Sequence, residues 1–301
     1  MAITRELRTN NKITWCPGCP NFAILESTAR ALLNLIKQGY KKEDFVMVAG
    51  IGCHAKIFDY LDISGINGLH GRSLPTAMGI KMGNPNLSVF AFAGDGDTYA
   101  EGMEHFIHAC RFNSNMTLFV HDNQSFSLTT GQPTPTSQLG FKSKALPFPN
   151  PQAPINPLRI ALSAGASFVA RCNSKDIAGT AEIMEKAIKH NGFSFVEIIQ
   201  DCLIFNQDMI ARNELMYKLP ETSRFVSKKS NLDGAQEPKV LDKKRSLDEA
   251  MALAKEWDYN LGKGKIALGV FFQENKKTFE EHWPQLTNLM KSKIGWKDIK
   301  R

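Results

Sequence analysis

The chain has 301 residues, 43% of them apolar, with 37 basic and 30 acidic side chains for a net charge of +7. That apolar content suffices for a large core and excludes a disordered chain, and no apolar run reaches the length of a membrane span. Met1-Ala-Ile-Thr-Arg-Glu lacks the apolar centre of a secretory signal, so a soluble, cytoplasmic protein is expected; with no basic run interleaved with aromatics, neither nucleic acid nor membrane is an expected partner.

After a polar start, Trp15-Cys-Pro-Gly-Cys19 lies just ahead of a helix predicted from Asn21 to about Gln38, which carries Phe22, Leu25, Ala29, Leu32, Leu33 and Ile36 on one side. Phe45-Val-Met-Val-Ala49 reads as the first core strand and ends in Gly50-Ile51-Gly52-Cys53-His54-Ala55. This is formally Gly-x-Gly-x-x-Ala after a strand, but a dinucleotide fingerprint wants a second apolar strand ending in an acid about 20 residues on. Residues 60–75 read as loop instead, so the glycines are assigned to close approach of the backbone to a cofactor or cluster.

A short helix over 74–82 leads to the centre of the chain. Leu87-Ser-Val-Phe-Ala-Phe-Ala93 is almost unbroken in its apolar character, as a parallel strand buried on both faces requires, and it stops at Gly94-Asp95-Gly96-Asp97. Thr98 and Glu101 match a capping box for a helix running to about Asn113, with Tyr99, Met103, Phe106, Ile107 and Cys110 on one face. Met116-Thr-Leu-Phe-Val-His121 is the next apolar strand and ends in Asp122-Asn123-Gln124. Residues 129–157 hold seven of the fourteen prolines in an irregular stretch of the kind that covers a site.

A strand at 167–170, a helix over 174–190 and a strand at 193–199 restore the βαβ rhythm, and the last strand runs into Asp201-Cys202. Beyond Asn206 the texture turns charged and polar, with a helix capped by Ser246 and Glu249, a strand near 265–272 and a final helix from about Thr278. The expected architecture is a doubly wound, mainly parallel α/β sheet over residues 1–206, followed over 207–301 by a charged α+β extension that wraps the domain or meets a partner. Chemistry-bearing residues at strand ends then gather along one edge of the sheet.

Six cysteines in such a chain point to metal or redox work rather than disulfides. Cys110 and Cys172 fall on the predicted helix face and strand and read as core. Cys16, Cys19, Cys53 and Cys202 remain, and their spacing alone leaves zinc and an iron-sulfur cluster both open. No second Cys-x-x-Cys completes a zinc ribbon, and no thioredoxin βαβ context surrounds Cys16-Pro-Gly-Cys19.

A hard cation such as Mg2+ takes carboxylate, amide and backbone oxygens together with substrate phosphates, and Asp95 and Asn123 offer them at the ends of adjacent strands. Alone, Gly94-Asp95-Gly96 is an ordinary turn and Asp122-Asn123 a loop cap; together, beside a helix start with free N–H groups, they describe a site for Mg2+ and a diphosphate. His70 and Arg72 flank a glycine and could anchor a phosphate or a substrate carboxylate. His105 and His108 could share a metal with Glu101 or Glu104, but no third convergent ligand is evident.

Gly94-Asp95-Gly96, with Asn123 28 residues after the aspartate, resembles the thiamine diphosphate motif. Trp15-Cys-Pro-Gly-Cys19, Gly50-Ile-Gly-Cys53, Leu69-His-Gly-Arg72, Gly94-Asp-Gly-Asp97 and Leu128-Thr-Thr-Gly-Gln132, in this order, resemble the beta subunit of 2-oxoacid:ferredoxin oxidoreductases across residues 12–205, with a weaker echo at Ile266-Ala-Leu-Gly-Val-Phe-Phe272. The resemblance implies a thiamine diphosphate-binding fold of the diphosphate type. It implies Mg2+ on Asp95, Asn123 and the Ser125 carbonyl, and one 4Fe-4S cluster on Cys16, Cys19, Cys53 and Cys202.

Ile51, Gly52, Cys53, His54, Gly94, Asp95, Gly96, Asp97, Asn123, Ser125 and Leu128 are then expected at the cofactor, and Lys56, His70 and Arg72 at the substrate. Thr130 departs from what relatives often carry, in a loop that lies near substrate in the family. The implied reaction is CoA-dependent oxidative decarboxylation of a 2-oxoacid to an acyl-CoA and CO2, with electrons passed through the cluster to ferredoxin. An obligate alpha (or alpha-gamma) subunit would supply the pyrimidine-binding domain and its glutamate. The competing readings are a zinc-stabilised, non-catalytic binding or scaffolding subunit, and a non-oxidative thiamine diphosphate-dependent decarboxylase, which would have no use for four such cysteines.

Overall fold

Apolar runs at 45–49, 88–94, 116–122, 168–173 and 194–199 have no polar face to offer water, and in the computed structural model they lie side by side in one sheet sandwiched between helices. The structure describes residues 3–207, 215–220, 223–225, 241–243, 245–259 and 264–292. In chain order the elements are α1 (Asn21–Lys37), β1 (Phe45–Ala49), β2 (Ser64–Asn67), α2 (Ser73–Gly83), β3 (Ser88–Gly94), α3 (Met103–Phe112), β4 (Met116–Asp122), α4 (Pro157–Ser163), β5 (Phe168–Asn173), α5 (Ile177–Lys189) and β6 (Ser194–Ile199). Then come β7 (Met216–Lys218), a separate antiparallel pair β8 (Ser223–Phe225) and β9 (Leu241–Lys243), α6 (Leu247–Lys255), β10 (Ile266–Gln273), α7 (Phe279–His282) and α8 (Pro284–Ser292).

The sheet order is β2-β1-β3-β4-β6-β5-β10-β7, and every pairing is parallel except β10 on β5. One apolar layer, with Ile24, Leu32, Phe92, Phe119 and Met184, lies under α1 and α5; the other, with Leu74, Phe106, Leu118, Leu158 and Phe195, lies under α2, α3, α4 and α6. From β1 the chain crosses to β2, and from β3 it crosses the opposite way to β4, so a crevice opens between the C-terminal ends of β1 and β3. Open α/β sheets bind ligands at such a switch point. Among the described residues no helix is long and apolar enough to cross a membrane.

Two local expectations are corrected. Residues 60–75 contain a strand, β2, at the sheet edge, where Ile66 is 46% exposed. Its ladder to β1 uses backbone groups alone and leaves no apolar pattern, and it ends at Asn67 rather than at an acid. The predicted capping box at Thr98 and Glu101 does not form: helical turns begin already at Asp95, wind as a π-helix over Asp97–Glu101, and α3 starts afresh at Met103. The cause is tertiary, since the Arg72 guanidinium takes the Glu101 carbonyl (2.7 Å) and Gly71 packs against the Glu101 backbone. The capping box of Ser246 and Glu249 is present at the start of α6.

The segment beyond residue 206 is tied into the sheet. Arg171 on β5 and Glu197 on β6 form a fully buried pair (2.6 Å), and Tyr259 bonds to both, with Trp257, Tyr259 and Phe271 rings around the guanidinium. Removing one partner strands the other charge in an apolar core. Arg171→Met is therefore expected to cost about 3–5 kcal/mol in urea unfolding. At the N-terminal end of β3, Lys81 is buried with its ammonium on the Leu87 carbonyl (2.6 Å) and facing Glu280, and burial lowers its pKa to about 8. Between pH 8 and 10.5 the unfolded chain holds a proton there that the folded chain lacks, so stability rises with pH through this window. Unfolding of Lys81→Met across the same range is expected to show that rise removed.

Candidate active site

The crevice between β1 and β3 is narrow because glycines line it. The Gly50 N–H continues the β1 ladder to the Phe92 carbonyl (2.9 Å), and a Cβ on Gly50 would run into the Asp97 carboxylate. Asp97 is buried, with Oδ1 accepting the Gly71 N–H (2.6 Å), His70 Nδ1 at 3.7 Å, and Oδ2 3.2 Å from His54 Nε2 without hydrogen-bond alignment. One carboxylate thus holds together the three turns around Gly50–His54, His70–Gly71 and Gly94–Asp97. The His54 ring fills a slot against Gly52 and Gly94, and Gly52 at φ 150° adopts a backbone that only glycine takes readily.

Asp95 sits next to this strut. Its Oδ2 accepts the hydroxyls of Thr134 (2.6 Å) and Thr136 (3.1 Å), so the proline-rich loop reaches back over the strand end. Burial pushes its carboxyl up to about 6, against the lowering effect of those hydroxyls. Asp122 shares Thr136 (3.0 Å) and is raised well above the carboxylate range by burial and by the charges of Asp95 and Glu197. Two buried acids resist ionising together, and a bound cation would relieve both. Beyond them Gln124 turns left-handed at φ 56°, its N–H on Asp122 Oδ1 (3.0 Å) and the Ser125 N–H on Asn123 Oδ1 (3.1 Å).

All the residues expected at the cofactor, namely Ile51, Gly52, Cys53, His54, Gly94, Asp95, Gly96, Asp97, Asn123, Ser125 and Leu128, line this one pocket, and so does His70. Lys56 and Arg72 do not. Lys56 reaches the Thr14 carbonyl (3.4 Å) beside Cys53, and Arg72 is committed to Glu101. The sequence reading missed His121, Phe126 and Gln200, which also line the pocket. His121 Nε2 and Gln200 Oε1 are buried there without a hydrogen-bond partner, and burial holds His121 neutral. The available signal was a polar residue at the C-terminal end of an apolar strand, β4 for His121 and β6 for Gln200.

Cys53 also lies within electrostatic reach of the other three candidate thiols. The Cys19 N–H closes a turn onto the Cys16 carbonyl (3.0 Å), Gly18 at φ 78° packs on Leu203, and the Trp15 indole donates to the Cys53 carbonyl (2.7 Å). Cys202 pairs with Asn206, whose amide donates to the Asn123 carbonyl (2.9 Å). Burial raises the Cys19 thiol to about 11, and Cys53, Cys16 and Cys202 each push it further; Cys53 is raised by burial, then by Cys202 and Cys16. The thiols therefore sense one another's charge, yet among the described residues no three His, Cys, Asp or Glu side chains converge closely enough to hold a single ion. Cys110 and Cys172 are buried in the core.

Residues 50–198 match the family described as thiamine pyrophosphate enzyme, C-terminal TPP binding domain. The 2-oxoacid:ferredoxin oxidoreductase subunit beta of Saccharolobus solfataricus is 39% identical over 274 residues, spanning 89% of this chain and 84% of that protein. The chain belongs to the 2-oxoacid:ferredoxin oxidoreductase beta-subunit family. The 2-oxoglutarate synthase subunit KorB of Archaeoglobus fulgidus is 42% identical over 188 residues, 62% of this chain and 69% of its own length. A solved 2-oxoglutarate:ferredoxin oxidoreductase from Magnetococcus marinus, with 2-oxoglutarate, coenzyme A and succinyl-CoA bound, superimposes with a TM-score of 0.81 at 30% identity, covering 97% of this chain and 91% of that one.

As a member of this enzyme family the chain has a thiamine diphosphate-binding fold, and the glycine-lined pocket with unpartnered buried polar atoms and two acids that burial pushes toward their neutral forms suits a diphosphate and its cation. The family's loop at Leu128–Gln132 holds Thr130 at a left-handed φ of 79°, unusual for a β-branched residue, while Thr129 lines the pocket. His105 pairs with Glu104 (3.7 Å) and His108 stacks on Phe112, so these two histidines are engaged away from the site. Gly50→Ala is expected to cost about 1–3 kcal/mol in urea unfolding by displacing Asp97. Gly79→Ala in α2, where a Cβ meets nothing within 4 Å, serves as the control and leaves stability equal or higher.

Proposed function

We propose that this beta subunit binds thiamine diphosphate through Mg2+ on Asp95, Asn123 and the Ser125 carbonyl, and carries one 4Fe-4S cluster on Cys16, Cys19, Cys53 and Cys202. With an alpha (or alpha-gamma) subunit it would convert a 2-oxoacid and coenzyme A to an acyl-CoA and CO2 and pass electrons to ferredoxin. The position of Cys53 carries the reading: it lines the pocket and also lies within electrostatic reach of the other three thiols. When bound, thiamine diphosphate supplies carbanion chemistry on the 2-oxoacid, and the cluster supplies one-electron transfer.

The residues divide the work. Asp95, held by Thr134 and Thr136, is an anion that burial makes costly until a cation sits on it. Gly52 and Gly94 keep the crevice open, and Asp97 acts as the strut behind them. Of the three residues assigned to substrate, His70 is the one at the pocket, half-buried beside Phe126, and it takes the substrate-facing role. Lys56 favours the Cys53 thiolate, and Arg72 shapes the π-turn. The pyrimidine half of the cofactor site, with its glutamate, comes from the alpha subunit, and a reducing compartment such as the cytoplasm keeps the four thiols available.

The test is anaerobic purification with the alpha chain, followed by iron, sulfide and zinc analysis and a visible spectrum before and after adding a 2-oxoacid and coenzyme A. About four irons and four sulfides, with bleaching on substrate, are expected. Stoichiometric zinc without iron or bleaching would overturn the assignment. Asp95→Asn is expected to weaken thiamine diphosphate binding by about 10–100-fold in calorimetric titration while leaving the iron content intact.

A further inference from the structure

His121 stands near the end of β4 opposite Ile198 on β6, and the ladder continues past β6, where the Gln200 N–H donates to the Asp122 carbonyl (2.9 Å). Side chains alternate along a strand, so Gln200, two residues after Ile198, shares the face of the sheet that carries His121. Both line the pocket, His121 is 1% and Gln200 3% exposed, and among the described residues neither His121 Nε2 nor Gln200 Oε1 has a hydrogen-bond partner. The His121 ring is fixed in place: Nδ1 lies 2.9 Å from the Asn21 amide oxygen, and Phe92 meets the ring edge-on at 5.7 Å. An amide oxygen only accepts, so the ring proton sits on Nδ1 and Nε2 is left as a bare lone pair. Gln200 Oε1 is an acceptor by nature. The two unpartnered atoms on this wall of the pocket therefore ask for the same thing, a hydrogen-bond donor.

We infer that His121 and Gln200 form an acceptor wall that binds and orients the amine on the pyrimidine ring of thiamine diphosphate. A buried acceptor without a partner carries a desolvation cost that a matching donor removes, so the wall selects for N–H groups and against oxyanions. Diphosphate oxygens, and the carboxylate and ketone of a 2-oxoacid, are acceptors themselves and gain nothing there. The one amino group that thiamine diphosphate carries is that of its pyrimidine. In the proposed complex the two chains close over one pocket, so a ring held by the alpha subunit still presents its amine to this wall. The amides of coenzyme A are the other source of N–H groups, and the experiment separates the two. Asn21 is a positioning residue in this arrangement, since by engaging Nδ1 it keeps Nε2 bare and turned to the pocket. This inference rests on the cofactor assignment above.

The experiment is a calorimetric titration, in excess Mg2+, of the anaerobic complex with the alpha chain carrying wild-type, His121→Phe or Gln200→Leu beta subunit. Each is titrated with thiamine diphosphate, with its analogue lacking the amine, and with coenzyme A. Both replacements keep most of the side-chain volume and remove the unpartnered acceptor. Each variant is expected to bind thiamine diphosphate about 3–10-fold more weakly than wild type, while its affinities for the amine-free analogue and for coenzyme A stay at the wild-type values. Equal weakening of cofactor and analogue overturns the inference, because the effect is then one of packing. An unchanged cofactor affinity in either assembled variant overturns it too, as does a loss confined to coenzyme A. Should His121→Phe fail to assemble with the alpha chain, Gln200→Leu decides alone. A wild-type complex that takes up no thiamine diphosphate would instead sink the cofactor assignment, and this inference with it.

Discussion

Parallel pairing of β1 with β3, from Phe45 opposite Ser88 to Ala49 opposite Phe92, decides where the chemistry of this protein stands. The chain leaves these two strands in opposite directions, so the turns after them face each other with no helix between. The gap is so tight that a single methyl group at Gly50 would collide with Asp97. The carboxylate that occupies it meets the Gly71 amide and lies against two histidines, and a buried acid needs such partners to be tolerated at all. Asp97 is therefore the strut of the site, and Asp95, two residues earlier, is the carboxylate left with a demand for a cation.

Burial places the same demand on two neighbouring sets of groups. Asp95 and Asp122 are both pushed toward their neutral forms, and so are Cys19 and Cys53. A cation in each set would turn that penalty into binding energy, because deprotonation and metal binding are then one event. The two sets are mechanically joined through Cys53, through the Asn206 amide on the Asn123 carbonyl, and through Asn21 with His121. The pocket and the cysteine turns in this arrangement share one framework.

The far side of the sheet contributes through Glu197. Its buried pairing with Arg171 and Tyr259 fixes the 257–259 segment against β5 and β6, and its charge is also felt at Asp122. A buried ion pair is weak evidence for net stability, but it specifies which strand edge can accept the C-terminal segment. The antiparallel β10 then covers the edge of β5 that would otherwise be open.

Residues 87–93 and 116–121 announce their place in the sheet from the sequence, since a central parallel strand must be apolar on both faces. The acids and amides at their ends have only the sheet edge to occupy. The same reasoning brought Gly50–His54 and Cys202 to that edge. It could not see β2, whose Ser64-Gly-Ile-Asn67 is a strand only because its backbone finds β1. Nor could it see that Thr98 and Glu101, a correct local match to a capping box, would yield to Arg72 and Gly71. By itself the sequence determined the layered α/β plan and most of the pocket lining, because these follow from periodicity and strand-end chemistry. Only the tertiary structure decided that Asp97 is a strut, that His121 and Gln200 enter the pocket, and that Asn21 reaches His121 across 100 residues of chain, because such contacts depend on which strand ends become neighbours and leave no periodic trace.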